Sequence, residues 1–269
     1  MDIKKIEHIP EIENLKIKGA EEIEDSKREE DAKKIEIVPN QGVVTILDIL
    51  GWKGIWQRNK NALQDLDDLV NEIETFASSS SKLFRNFQKF GVEDNITKVM
   101  VISDTIVITT SAEENDSNNA LDLHGLICKD AIPYSIMKGI PVRGATCYGE
   151  FATGKGINSF VGKAVDEAAS WHETTDWIGV IMTPSAKYSY HTPTEDYWKE
   201  TDPPFKNNLK FSTYGVNWIN QEDLSLQEIL KAFINLSPII PDIVNKFENT
   251  IKFITPEKSA THKKNILPE

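Results

Sequence analysis

Cysteine is scarce: the 269 residues contain two, Cys128 and Cys147. Two cannot form a disulfide framework and do not have zinc-finger spacing, so both are expected to be free, buried thiols in a reducing compartment. Basic residues are also short, with 30 Lys and Arg against 42 Asp and Glu and a formal net charge of −12. That balance argues against a general nucleic-acid partner, because phosphate backbones need a basic face. A small anionic ligand stays possible, since it needs only a local metal or a few N–H groups. No apolar run approaches the roughly 20 residues of a membrane span, so no membrane partner is expected. Met1-Asp2-Ile3-Lys4-Lys5 lacks the apolar core of a signal peptide, and the expected location is cytoplasmic.

An apolar fraction of 39% and a charged fraction of 27% suit a chain that buries a sizeable core. Val43-Val44-Thr45-Ile46-Leu47-Asp48-Ile49-Leu50-Gly51-Trp52-Lys53-Gly54 reads as a buried strand that carries one carboxylate and breaks at glycine. A buried Asp is paired, binds a metal, or caps the next element, and the local pattern leaves these readings open for Asp48. Gly51 and Gly54 let the backbone turn tightly, as a nest of N–H groups for phosphate requires.

The remaining periodicities predict the element order. A helix is expected over 56–76, a break at Ser78-Ser79-Ser80-Ser81, and a short amphipathic segment around Leu83, Phe84, Phe87 and Phe90. Two strands in 98–110 meet at a tight Ser103-Asp104 turn. A helix over 120–137 contains Pro133; strands follow at 141–150 and 178–182, with a glycine-led helix over 163–173 between them. Residues 191–204 read as loop, 209–218 as a strand closing a hairpin, and 224–236 and 238–253 as terminal helices, Ser225 helping to start the first. The expected fold class is α+β: a ferredoxin-like βαββαβ core with a C-terminal hairpin and helices. The expected division is a charged appendage over 1–38, a main domain over 39–220 and a helical extension over 221–269.

In that plan Asp48 and Asp104 meet at one edge of the sheet. Adjacent carboxylates repel unless a cation lies between them, and Mg2+ or Mn2+ with oxygen ligands suits the pair. With a phosphate-binding turn alongside, the pattern points to two-metal phosphoryl or nucleotidyl transfer.

Leu47-Asp48-Ile49-Leu50-Gly51-Trp52 resembles the Phe-x-Asp-Ile-x-Gly-Phe motif of the class III nucleotide cyclases, and Ser103-Asp104 resembles their Gly-Asp hairpin. Residues 162–170 lie where the family carries Gly-x-x-Val-Asn-x-Ala-x-Arg. Residues 204–214 resemble its late Val-Lys-Gly-Lys-Gly hairpin, which ends in Thr-Tyr-Phe. The resemblance spans about residues 43 to 218. It implies a homodimer with active sites shared across the interface. Asp48 and Asp104 would hold two divalent metal ions, Mg2+ or Mn2+, with help from the Ile49 carbonyl. Gly51 and Trp52 would line the phosphate turn, and Lys206 falls at a triphosphate-binding lysine; a solvated hairpin lysine is the plain alternative.

The departures carry equal weight. Met100 stands where adenylate cyclases have a purine-reading lysine, and Ser159 where they have its partner acid. Asp166 replaces the transition-state Asn and Ser170 the Arg, whose loss removes a cation from the developing charge, typically several kcal/mol. Lys163, Arg143 and Arg58 are candidate substitutes. Retained metal carboxylates with rewritten base-reading positions resemble the pyrimidine cyclases of bacterial anti-phage signalling. That resemblance implies cyclisation of UTP, or else CTP, to a 3′,5′-cyclic nucleotide that activates a downstream effector. The alternative from another class is a catalytically degenerate cyclase-like domain that binds nucleotide or a partner and signals by dimerising. A metal-dependent phosphodiesterase or nuclease is a third reading, and it would want more His and acidic ligands than the spacing of His124, His172 and His191 offers.

Overall fold

The computed structural model describes residues 39–87, 97–154, 159–219, 225–236 and 241–255, with side chains throughout except at 81–87 and 242. The expected appendage over 1–38 lies outside the described residues, as does the expected extension beyond 255.

Strand β1 is Asn40–Ile49. It is followed by a one-turn helix α1, Ile55–Arg58, and the long helix α2, Ala62–Phe87. The hairpin β2, Thr97–Ile102, and β3, Thr105–Ser111, leads to α3, Ser117–Met137, and β4, Val142–Thr153. Next come the short β5, Phe160–Val161, the helix α4, Lys163–Trp171, and β6, Gly179–Met182. The remainder is α5, Pro184–Ser189; β7, Trp198–Thr201; β8, Thr213–Val216; α6, Leu226–Asn235; and α7, Pro241–Ile254.

The strand order is β2-β3-β1-β4-β6-β8-β7, with β5 folded back on β4. β1 lies antiparallel to both β3 and β4. The expected βαββαβ core is therefore present as β1-α2-β2-β3-α3-β4 with spatial order β2-β3-β1-β4. β6 extends it by pairing parallel to β4, and the β7–β8 hairpin closes the far edge.

Alternation along β1 sorts the two faces of the sheet. Val43, Leu47 and Ile49 join one apolar cluster with Leu69 and Ile73 of α2 and Leu121, Ile127 and Ile132 of α3. Ile229 and Phe233 of α6 and Phe247 of α7 belong to that same cluster. Val44 and Ile46 point the other way, into a smaller cluster with Ala164, Val165 and Ala168 of α4. By the same period Asp48 and, on β4, Arg143 fall on the α4 face.

Several expectations are corrected. The four serines do not break α2, which runs on to Phe87. Thr75 Oγ1 donates to the Asn71 carbonyl at 2.8 Å and Ser79 Oγ to the Thr75 carbonyl, so these hydroxyls are satisfied inside the helix instead of competing with it. The break falls earlier, at Asn59, whose side chain accepts from the Asn61 N–H and donates to Asp65. Pro133 is carried inside α3. Residues 191–204, expected as loop, contain the edge strand β7, anchored by the fully buried Trp198. Helix α5 was not anticipated, although Pro184 at its first position is a helix-start signal. Ser225 starts α6 with a full capping box to Glu228. Cys128 and Cys147 are free and buried, as expected.

Candidate functional site

The Ser103-Asp104 turn and the end of β1 form one corner of the sheet. In register, Asp48 sits opposite Thr105 on β3 and opposite Arg143 on β4. The Ile49 N–H donates to the Asp104 carbonyl at 3.1 Å, which fixes the hairpin tip against the β1 end. Asp48 and Asp104 are both half-buried there. Ser103 makes this turn at φ 59°, a conformation that glycine adopts at less cost.

Asp48 is held from the other side. Arg143 donates to Asp48 Oδ2 from Nε and from Nη2, each at 3.0 Å, with the Arg143 side chain 8% and the Asp48 side chain 15% exposed. The third nitrogen, Nη1, donates to the carbonyls of Glu173 and Thr175, both at 3.2 Å. One guanidinium therefore ties β1 to the turn that follows α4. Burial outweighs this pairing and pushes the Asp48 carboxyl above its usual range, while Arg143 pulls it back. A cation at the remaining oxygen would relieve that cost, so the donor set fits a divalent metal.

The turn after β1 has the backbone expected of it. Gly51 and Gly54 take φ of 76° and 75°, open only to glycine at low cost. The Ile55 N–H bonds the Trp52 carbonyl and the Gln57 N–H bonds that of Gly54. Among the described residues, the N–H groups of Gly51, Lys53 and Gly54 make no backbone hydrogen bond within this turn. Trp52 leans on the main core, whereas Trp56 is exposed.

The other sequence candidates are dispersed. Met100 on β2 is half-buried against the α4-side cluster, and so is Phe160 beside the exposed Ser159. Lys206 opens a turn in which Asn207 and Asn208 both take φ 59°, and its N–H bonds the Thr174 carbonyl at 2.8 Å. Burial, then the charges of Arg143 and Lys246, lower the Lys206 pKa, so Lys206 lies on the Asp48 side of its own chain.

Each candidate substitute cation is engaged. Arg143 serves Asp48, and Lys163, 83% exposed, pairs with Glu150 at 2.8 Å. Arg58 donates to the carbonyls of Gly51 and Lys53. Ser170 Oγ donates back to the Asp166 carbonyl within α4.

Spatial proximity adds two residues that sequence spacing did not single out. His172 and Glu173 bring one ligand atom each to within 4.8 Å of an Asp48 oxygen and of each other. A cavity of about 580 Å³ opens beside Gly51, Arg58 and Lys138, lined also by α6 and α7, and neither Asp48 nor Asp104 lines it.

No protein-family model and no curated protein matches the chain. Among solved structures, it is similar to the catalytic core of a rhodopsin-guanylyl cyclase with converted specificity in complex with ATPαS, at 19% identity and TM-score 0.49, over 67% of this chain and 97% of that one. It is also similar to the adenylyl cyclase CyaB from P. aeruginosa, at 14% identity and TM-score 0.48, over 71% and 100% of the two chains. The guanylyl cyclase Cya2 matches at 10% identity and TM-score 0.42, over 69% and 95%. Among the described residues, no helix is long and apolar enough to cross a membrane.

Proposed function

We propose that the chain is a class III-type nucleotide cyclase. It would act as a homodimer on a pyrimidine nucleoside triphosphate, UTP before CTP, and make a 3′,5′-cyclic nucleotide as a second messenger in anti-phage defence. The observation that supports this best is the convergence of Asp48 and Asp104 at adjoining strand ends, next to a turn that Gly51 and Gly54 make at positive φ.

In this reading Asp48, Asp104 and the Ile49 carbonyl would hold two divalent ions, Mg2+ or Mn2+, which would lower the pKa of the attacking hydroxyl and neutralise the triphosphate. Arg143 fixes the Asp48 carboxylate in place. The Gly51–Gly54 turn receives phosphate oxygens at backbone N–H groups. Lys206 adds positive charge for the triphosphate. The 3′-oxygen attacks the α-phosphorus, the bond to the bridging oxygen breaks, and pyrophosphate leaves with the electron pair. Met100, apolar and half-buried, offers no hydrogen bond to a purine edge, which supports a rewritten base site.

One observation favours a second reading. With Asp166 and Ser170 on α4, and Lys163 committed to Glu150, that helix presents no unpaired cation to the leaving charge. A degenerate domain that binds nucleotide and signals by dimerising would look the same. Incubation with each of the four ribonucleoside triphosphates and Mn2+ or Mg2+ separates the two. The cyclase turns over a pyrimidine nucleotide and loses activity at least about 100-fold in Asp48→Ala and in Asp104→Ala. A degenerate domain binds nucleotide without turnover.

A further inference from the structure

We propose a second kind of metal site on this chain, formed by Asp48, His172 and Glu173 and suited to a divalent transition ion such as Mn2+ or Zn2+ rather than Mg2+. It lies on the β4 side of Asp48, whereas Asp104 lies on the β3 side. It shares Asp48 with the nucleotide site but requires neither nucleotide nor turnover.

Three observations carry it. The three ligand atoms lie within 4.8 Å of one another. Ligands about 2.1 Å from one cation stand about 3 Å apart when adjacent and about 4.2 Å apart when opposite, so small movements of an exposed Glu173 close the set.

The second is the orientation of His172. Its Nδ1 lies 2.6 Å from the Ala169 carbonyl, and a carbonyl only accepts, so Nδ1 carries a proton. In the neutral ring that leaves the lone pair on Nε2, the atom facing Asp48 and Glu173. A backbone carbonyl on the far nitrogen is the arrangement that metal-bound histidines use to fix their tautomer.

The third is the saturation of Arg143. Its Nε and Nη2 serve Asp48 Oδ2 and its Nη1 serves two backbone carbonyls. No hydrogen bond from it reaches the Glu173 carboxylate. Among the described residues, the contact made by that carboxylate is to His172 Nε2 at 3.8 Å, too long for a hydrogen bond. Asp48 and Glu173 therefore face the Arg143 guanidinium and, farther out, the Lys206 ammonium, so the three lone-pair atoms lie among groups of both signs. Arg143 also acts as the scaffold, because it anchors Asp48 and the backbone of the 173–175 turn at once. An imidazole among carboxylates favours Mn2+, Co2+ or Zn2+, whereas Mg2+ prefers oxygen ligands and water.

The test loads the full chain with Mn2+ in the absence of nucleotide and records pulsed EPR. Nitrogen-14 modulation from a directly bound imidazole is expected. His172→Gln removes it and weakens Mn2+ binding by at least about tenfold, and Asp104→Ala retains it. Glu173→Gln, an exposed change that leaves folding intact, weakens binding and keeps the nitrogen signal. Excess Zn2+ displaces the ion, and equimolar Mg2+ does not. Absence of nitrogen coupling in the wild type, or its persistence in His172→Gln, overturns the proposal. Because Asp104→Ala abolishes cyclisation but not this signal, failure of the two proposals is told apart.

Discussion

Arg143 uses all three of its nitrogens, two edges on Asp48 and one on the turn after α4. Removing the guanidinium leaves a nearly buried carboxylate unpaired, so Arg143→Ala is expected to cost about 3 kcal/mol in urea denaturation. The double variant Asp48→Ala/Arg143→Ala should be less destabilised than the sum of the two single changes. Strict additivity would show that the pair is not coupled.

His124 is the other residue whose chemistry is set by burial. It is fully buried, with Nδ1 2.7 Å from Thr45 Oγ1 and Nε2 2.8 Å from Thr110 Oγ1. Burial pushes its pKa down to about 3. The unfolded chain binds a proton near pH 6.5 that the folded one refuses. Stability is therefore intact above that value and falls as pH drops below it, by about 2 kcal/mol at pH 5 from this group alone. Histidine NMR should show His124 neutral throughout that range, and titration near pH 6 would contradict the account. At this scale the sequence exposes Asp48 and Asp104, because a carboxylate in an apolar strand and another at a hairpin tip are both anomalies. It does not expose the roles of Arg143, His172 or Glu173, because a cross-strand partner and a post-helix turn are brought to Asp48 only by the register of β4 and the docking of α4.

Among the elements, α3 shows how packing overrides propensity. Gly125 faces Trp198 of β7, and a Cβ there would lie 2.4 Å from the indole nitrogen, which itself donates to the Leu121 carbonyl at 2.8 Å. Gly→Ala inside a helix usually gains about 1 kcal/mol. Here Gly125→Ala should instead lose about 1–3 kcal/mol through overpacking, measured as a lower midpoint in thermal or urea unfolding. Elements with strong periodicity were legible: β1, the β2–β3 hairpin, α3 and α4 all fall close to their expected places. Those that were missed depend on partners distant in sequence. β7 is four residues of mostly polar sequence made into a strand by β8 and by the burial of Trp198. The serine run stays within α2, where the Ser79 hydroxyl bonds back to the Thr75 carbonyl of the preceding turn.

For the whole molecule, the βαββαβ core with its parallel β6 addition places both carboxylates at adjoining strand ends, apart from the cavity beside Gly51 and Lys138. Lys206 lies on the Asp48 side of its own chain, so mixing Asp48→Ala with Lys206→Ala is expected to restore no activity, because each site of a mixed dimer then lacks one of the two groups. Recovery to about a quarter of wild type would instead place Lys206 in the site of the partner copy.

The central claim is cyclisation, and the direct measurement is product analysis in water enriched in oxygen-18. The full chain with Mn2+ and UTP is predicted to yield a 3′,5′-cyclic nucleotide and equimolar pyrophosphate, neither carrying solvent oxygen, because the attacking oxygen is the substrate's own 3′-hydroxyl. A linear monophosphate or diphosphate labelled from water would contradict the account and identify a hydrolase. No turnover of any of the four nucleotides, with nucleotide bound, would leave the degenerate binding domain in its place.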